Sequence, residues 1–534
     1  MEYLGKAKGN VNVNDVSKLR SSDNSNDILR IFKEELDYEP ETFYGRPLMK
    51  PKGKGDDYVN PYNIAMKNMS VEKKALDPHE MNDTVDFLVG DIIRKLEETE
   101  TPRTLAPLDV ESAINGAKID PFIRRMNAST SAGFGYPGPK SAYIPIVKED
   151  DNFVIREPVD KLKKDLNRCI NNYLNGDCNN FVNSGKLKDE PRPLDKVKAG
   201  KTRLFNVSET TNVILMRMFL SPFYTLMTQY NEIFSTSIGI NMHADADQFV
   251  ENLFKHNHNV FEGDYSKYDQ SMPCDVARMA CTIIERVLIH FGYNDEAMTV
   301  VRGLLSDSMF PVVEILKDIF IIAGYQPSGK YATAEDNSLR GLILIVYALN
   351  HVFGLRNPKT GEFLPSLDNI VTMCTYGDDI LGTVSDVISE AFNVKEYQKL
   401  CEKLYGMKFT STDKSDQVSE FVDRKNMSFL KRNFVFSKEF QRWMAPLHKD
   451  SIMKSLLWVL PSKSVSSEKQ LVDTTCSALW ELFFHTDADK FERVRDRLIS
   501  SVHSVTDMKT EELDAYFPDR TTIMESVGFS PSSL

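Results

Sequence analysis

The stretch CTYGDDILG, residues 374–382, sets two adjacent aspartates on a tight turn inside an apolar run. The surrounding NIVTMCTYGDDILGTV is rich in β-branched residues on both sides, so it reads as two short strands joined through Gly377 and Asp378 as a β-hairpin. A turn needs only one Gly or Asp, which leaves Asp379 without a turn role. Two carboxylates forced together repel, and like charges at such range normally sit near a cation. A solvated hairpin tip explains most isolated Gly-Asp pairs, so the meaning of this turn depends on what the rest of the chain supplies.

The chain of 534 residues can bury a large core, and its 41% hydrophobic and 27% charged fractions are those of an ordinary soluble globular protein. A net charge of −12 argues against nucleic-acid binding unless the basic residues are clustered. Seven cysteines show no CxxC pair, which points to a reducing compartment without a disulfide or zinc framework. The nine histidines lack metal-ligand spacing, and HNH at 256–258 reads as a solvated loop. MEYLGKAKGN lacks the apolar core of a secretory signal. The best apolar run, GLILIVYALNHVFGL from Gly341, is shorter than a bilayer span and reads as a buried helix, so no transmembrane segment is expected.

Residues 1–28 are polar and read as an extended or capping segment, and 46–63 and 130–140 as Pro/Gly loops. Helical periodicity runs through 85–98 and 160–174, and through about 205–231 with an expected break near Pro222. NVFEGDYSKYD begins as a strand and leaves it at Asp264, and a long helix follows Pro327. From 440 onward SIMKSLLWVL, EKQLVDTTCSALWELFFH and ADKFERVRDRLISSV read as three helices, giving an α+β chain with an all-helical end.

A second strand ending in Asp264, with Asp269 five residues on, would gather carboxylates with Asp378 and Asp379 at one sheet edge. Mg²⁺ prefers such oxygen ligands and fills its octahedron with carboxylates, water and substrate phosphates. Two such ions about 3.5–4 Å apart can activate a hydroxyl and stabilise a leaving pyrophosphate, the chemistry of nucleotidyl transfer. The basic residues do cluster: KLKDEPRPLDKVKAGKTR, 186–203, carries seven Lys or Arg against three acids. A solvated loop accounts for many such runs, but Pro and Gly forbid a plain helix here, and KTRLFNV suggests a strand presenting Lys201 and Arg203 to a triphosphate. In GYQPSGKYATAEDNSLRG, 324–341, a Ser-Gly loop opens a helix on which Thr333 and Asn337 share a face and suit a ribose 2′-OH. The bland reading makes Ser328 an N-cap and Asn337 an incidental polar residue.

The order TSAG, KDEPR…KTR, GDYSKYDQS, PSGKYATAEDN, YGDD, STDKS and FLKRNF resembles the RNA-dependent RNA polymerases of picorna-like positive-strand RNA viruses, in which these elements appear as motifs G, F, A, B, C, D and E. Each motif alone is weak, and seven in order over 127–435 are not. The resemblance implies a right-hand polymerase: fingers at 1–220, palm at 221–304 and 327–437 with a ferredoxin-like sheet, a return to the fingers at 305–326, and a helical thumb at 438–534. It implies Asp264 and Asp378 as principal metal ligands with Asp379 supporting, and two Mg²⁺ ions for which Mn²⁺ can substitute. Asp269, Thr333 and Asn337 match the network that senses the 2′-OH, and Ser328 and Gly329 the loop that moves with nucleotide binding. Lys188 and Arg203 match triphosphate contacts, with Lys196 and Lys201 beside the channel. Lys414 matches the general acid that protonates pyrophosphate. Phe429, Leu430, Lys431 and Arg432 match the grip on the nascent strand, and Thr130 and Ser131 a contact at the mouth of the template path.

The implied partners are template and nascent RNA, NTPs, a small viral protein primer carrying a tyrosine, and other viral replication proteins. The implied location is the host cytoplasm at virus-induced replication membranes. Two departures stand out: KYATAED is more charged than is usual in that family, and the chain is longer than a typical picornavirus enzyme. A reverse transcriptase shares the two-metal palm but carries a bulky aromatic against the 2′-OH, where Asp269 and Asn337 argue the reverse. A silent RNA-binding scaffold with this fold would have no reason to keep Asp264, Asp378 and Lys414 together.

Overall fold

The computed structural model describes every residue except 9–14, 100–103, 118–119, 150–153, 412–418, 463 and 530–534. At its centre is a four-stranded antiparallel sheet in the order Val371–Tyr376, Asp379–Val384, Asn259–Tyr265 and Phe409–Thr410. The expected hairpin forms: Tyr376 pairs with Asp379 and leaves Gly377 and Asp378 as a two-residue loop. Gly377 has φ +64°, the sign a II′ turn requires at its first loop position and one that costs glycine nothing.

Side chains alternate across this sheet. Phe261, Tyr265, Ile380 and Val384 join the main core with the helices Cys274–His290 and Thr333–Phe353. Val260 and Leu381 pack on the other face against Met427, Phe429, Phe434 and Ala445. Buried Glu262, on that same face, accepts a 2.7 Å hydrogen bond from the Ser428 N–H. Asp264 and Asp379 continue this second face to its less buried end, where they stand opposite each other in register.

A five-stranded sheet lies beside it, in the order Glu2–Lys6, Asp318–Ile321, Val312–Ile315, Val182–Leu187 and Leu204–Val207. Its pairs are antiparallel except for Val312–Ile315 with Val182–Leu187. The strand expected to hold Lys201 and Arg203 begins only after both of them, at Leu204. The reason is local. A single helical turn, Leu194–Lys198, follows Pro193, and the Lys201 N–H closes back on the Lys196 carbonyl at 2.9 Å, so the chain straightens only afterwards.

The helix Thr210–Gln229 runs unbroken through Pro222, against the expected break. Proline removes the N–H that would serve the carbonyl four residues back. That carbonyl, on Met218, instead accepts a 2.7 Å bond from the Leu108 N–H, a partner more than a hundred residues away in sequence. The three expected C-terminal helices are Lys449–Leu457, Ser467–Leu482 and Ala488–His503, and two short ones follow at Thr510–Tyr516 and Arg520–Ser526. The end is not wholly helical, because Trp458–Val459 pairs with Arg20–Ser21. Of the polar N-terminal segment 1–28, Glu2–Lys6 and Arg20–Ser21 are extended strands as expected, and a helix begins only at its end. Ser25–Leu36 is an amphipathic helix whose Ile28, Ile31, Phe32 and Leu36 complete the core of the C-terminal bundle. Among the described residues, no helix is long and apolar enough to cross a membrane.

Candidate active site

Three carboxylates meet at the open end of the central sheet: Asp264 and Asp379 as a cross-strand pair, and Asp378 on the adjoining turn. Burial, reinforced by the charges of Asp378 and Asp264 and opposed by Lys431, pushes the Asp379 carboxyl up to about 7. Burial also raises Asp378, although its side chain reaches solvent, while the Arg203 guanidinium pulls the other way. Among the described residues, no three His, Cys, Asp or Glu side chains converge tightly enough to form a ready-made metal cage. Mg²⁺ does not need one, since water and substrate phosphates complete its shell. The donor set is oxygen only, and its like-charge crowding is what a divalent cation relieves, so the residues fit such an ion.

Next to this edge, the Asn337 Nδ2 donates to Asp269 Oδ1 at 2.9 Å, while the Asn337 Oδ1 is buried with no partner among the described residues. Asp269 is raised by burial and by Asp378, and lowered by its bond from Asn337 and by Arg340 and Arg203. The helix Thr333–Phe353 ties the motifs together through successive residues. Tyr268 donates to the Asn337 carbonyl at 2.7 Å, and the Gly377 N–H of the aspartate turn donates to Ser338 Oγ at 2.9 Å. Thr333 shares the helix with Asn337, but its hydroxyl turns back to the Lys330 carbonyl at 2.9 Å.

The Ser-Gly loop packs on the neighbouring sheet. Ser328 caps no helix; its Oγ accepts the Asn206 N–H at 3.2 Å. Gly329 lies so close to that strand that a Cβ would meet the Asn206 carbonyl oxygen at 1.9 Å. Its lack of a side chain therefore serves contact with protein backbone as well as any ligand. The unusual charges of KYATAED are accounted for here: Lys330 and Asp336 pair at 2.8 Å inside the protein, and Arg340 joins them.

Of the basic run, Lys188 and Arg203 stand face to face, the Lys188 N–H donating to the Arg203 carbonyl at 2.8 Å. Glu190, a residue sequence reasoning passed over, holds the Lys188 ammonium at 2.9 Å and the Arg203 guanidinium at 3.4 Å. Lys201 is exposed and Lys196 half-buried one turn away. Thr130 and Ser131 are exposed on the Gly/Pro loop, anchored by the buried Lys140, whose ammonium donates to Thr130 Oγ1 and the Ser131 carbonyl, each at 2.7 Å.

The FLKR segment is a hairpin, with Leu430 and Lys431 at φ +54° and +58°. Two non-glycine residues in the left-handed region are a local strain that the surrounding packing must hold. That packing is visible. Phe429 is buried and stacks on Phe249, and Arg432 is bidentate to Glu481 of the helix Ser467–Leu482, at 2.9 and 2.6 Å. Lys431 alone of the four faces the carboxylate edge as an exposed cation. Lys414 lies outside the described residues.

A family model described as viral RNA-dependent RNA polymerase matches residues 66–488. The replicase polyproteins of Drosophila C virus (strain EB) and acute bee paralysis virus (strain Rothamsted) are 24% and 26% identical to 85% and 86% of the chain. These matches cover 26% and 24% of the two polyproteins, so the chain spans about a quarter of their length. A solved structure described as Sicinivirus 3Dpol RNA dependent RNA polymerase is similar with a TM-score of 0.76, over 99% of this chain and all of that one, at 17% identity. That likeness makes the mixed α and β architecture a right-hand polymerase fold.

Proposed function

The chain belongs to the viral RNA-dependent RNA polymerases, and from that premise we propose that it copies a positive-strand viral RNA by two-metal-ion nucleotidyl transfer at Asp264, Asp378 and Asp379. The observation that carries this reading is the in-register pairing of Asp264 with Asp379 beside the Asp378 turn, where burial, reinforced by the charges of Asp378 and Asp264, pushes the Asp379 carboxyl up to about 7. The chemistry that two Mg²⁺ ions, or Mn²⁺ in their stead, supply when bound there is activation of the attacking hydroxyl and stabilisation of the leaving pyrophosphate.

The chain's own residues orient the substrates. Lys188, Lys201 and Arg203 hold the triphosphate, Arg203 being near enough to influence both Asp378 and Asp269. Asn337 has committed its amide nitrogen to Asp269, so its buried, unpartnered Oδ1 is an acceptor for the ribose 2′-OH. A deoxyribose leaves that acceptor unsatisfied, which is how such a site rejects it. Ser328, Gly329 and Thr333 shape the loop beneath the nucleotide. Leu430 and Lys431 meet the nascent strand, held in place by Phe429 and Arg432. Thr130, Ser131 and Lys196 line the template path. Lys414 acts as the general acid toward pyrophosphate.

Initiation on a small protein primer carrying a tyrosine, association with other viral replication proteins, and work at virus-induced membranes of the host cytoplasm complete the proposal. Extension of a primed homopolymer RNA template with Mg²⁺, with and without a tyrosine-bearing peptide, tests it. RNA synthesis that stops on chelation supports the reading, and stimulation by the peptide without an RNA primer supports protein priming. A folded protein that makes no RNA with either primer defeats the assignment.

A further inference from the structure

Asp336 is 3% exposed, yet it carries a charge. Its Oδ2 accepts from Lys330 Nζ at 2.8 Å and from Gln326 Nε2 at 2.6 Å, and it forms an ion pair with Arg340 Nη2 at 3.0 Å. Lys330 also donates to Ser308 Oγ at 2.9 Å, and Arg340 Nη1 to the Gly324 carbonyl at 3.4 Å. One carboxylate oxygen therefore gathers both ends of the loop 324–330 onto the first turn of the helix that carries Asn337. Burial would raise this carboxyl, but Arg340 and Lys330 outweigh it and hold Asp336 well below the usual carboxylate range.

A fully buried ion cluster is a poor way to gain stability, since well-packed apolar residues often do as well. What it provides is fixed geometry, and the geometry leads to the sugar pocket. The backbone N–H of Gln326, whose side chain Asp336 holds, donates to the Asp269 carbonyl at 3.1 Å. The Asp269 carboxylate is in turn held by Asn337, the residue after Asp336. The ring Asp336–Gln326–Asp269–Asn337 thus closes through two side-chain hydrogen bonds, one main-chain hydrogen bond and the peptide bond joining Asp336 to Asn337, and it fixes Asp269 from both its backbone and its carboxylate.

We propose that Asp336 is a positioning residue for sugar selection: by clamping Lys330, Gln326 and Arg340 it sets the Asp269–Asn337 pair at the spacing that accepts a ribose 2′-OH. The inference rests on the sugar-sensing role given above to that pair. With the clamp released, Asp269 and Asn337 still pair, but Gln326 and the loop no longer hold the Asp269 main chain, and the unpartnered Asn337 Oδ1 loses its fixed aim.

The test is single-nucleotide incorporation on a primed RNA template by wild type, Asp336→Asn and Lys330→Met, with melting temperature alongside. The Asn variant keeps the shape and removes the charge; the Met variant removes only the loop's end of the clamp and leaves Asp336 with Arg340. The expected result is continued NTP incorporation with a kcat/KM ratio of NTP over dNTP that falls by about tenfold in Asp336→Asn. The ratio should move in the same direction in Lys330→Met. A lowered melting temperature with NTP and dNTP impaired in proportion, leaving the ratio unchanged, overturns the inference and makes the cluster purely structural. If Asp336→Asn does not fold, Lys330→Met alone decides by the same ratio. A wild-type enzyme that selects ribose strongly while Asn337→Ala leaves that ratio untouched instead overturns the sugar-sensing reading on which this one rests.

Discussion

At the scale of single residues, the duties proposed for Asp378 and Asn337 in turn, catalysis and selection are separable. Asp378→Asn should leave the hairpin folded, because Asn suits the second loop position as well as Asp does. Asn337→Ala removes both the bond to Asp269 and the free acceptor, so the NTP over dNTP ratio should fall by roughly tenfold or more while triphosphate affinity changes little. Uniformly weaker binding at an unchanged ratio would assign Asn337 to helix structure instead. Lys414→Arg keeps the charge but makes a poorer acid, so slow single-turnover incorporation in that variant marks proton donation. Wild-type rates with Arg, and loss only with Leu, would reduce Lys414 to a charge. The aspartates were legible in the sequence because a two-residue turn and a period-two strand are local patterns. The commitments of Phe429 and Arg432 were not, since they are set by Phe249 and Glu481, far away along the chain.

Elements show the same division between near and far causes. The 374–382 hairpin could be read from its own residues, whereas the continuity of Thr210–Gln229 through Pro222 depends on the distant Leu108 N–H. Likewise Ser328 looks like a helix cap in sequence, and becomes a bridge between loop and strand only when Asn206 is beside it. This junction makes a prediction of its own. Gly329→Ala would drive a Cβ into the Asn206 backbone, and because the obstacle is main chain, the loop must move. Overpacking of this kind typically costs about 1–3 kcal/mol, so a lower melting temperature and slower nucleotide incorporation are expected together. An alanine variant that melts and incorporates like wild type would show that the loop is free to shift without consequence.

Across the whole molecule, a half-buried cluster ties the C-terminal bundle to the FLKR hairpin, which packs against the central sheet. Glu481 meets Arg432 of the FLKR hairpin and His243 at 2.9 Å, and the His243 ring stacks on Trp480 and Phe484. Burial would raise the Glu481 carboxyl, but its bonds from His243 and Arg432 and their charges outweigh that and hold it at about 2. A carboxyl depressed in the folded state stabilises the protein above its ordinary value of 4.5, and that contribution is lost as pH falls toward 2. Glu481→Gln should therefore lower the free energy of unfolding measured in urea at pH 7, by about 1.5–3 kcal/mol for hydrogen bonds to a charged group, and the gap to wild type should narrow below pH 4.5. A gap that is constant across that range would mean the charge on Glu481 does not fasten the bundle. The central claim is that RNA synthesis occurs at the Asp264, Asp378 and Asp379 edge. Its most direct test is primer extension on an RNA template with Mg²⁺ by wild type and Asp378→Asn, each checked by melting. The account predicts extended RNA from the wild type and almost none from an equally stable Asp378→Asn. An Asp378→Asn protein that extends RNA at close to the wild-type rate would contradict it.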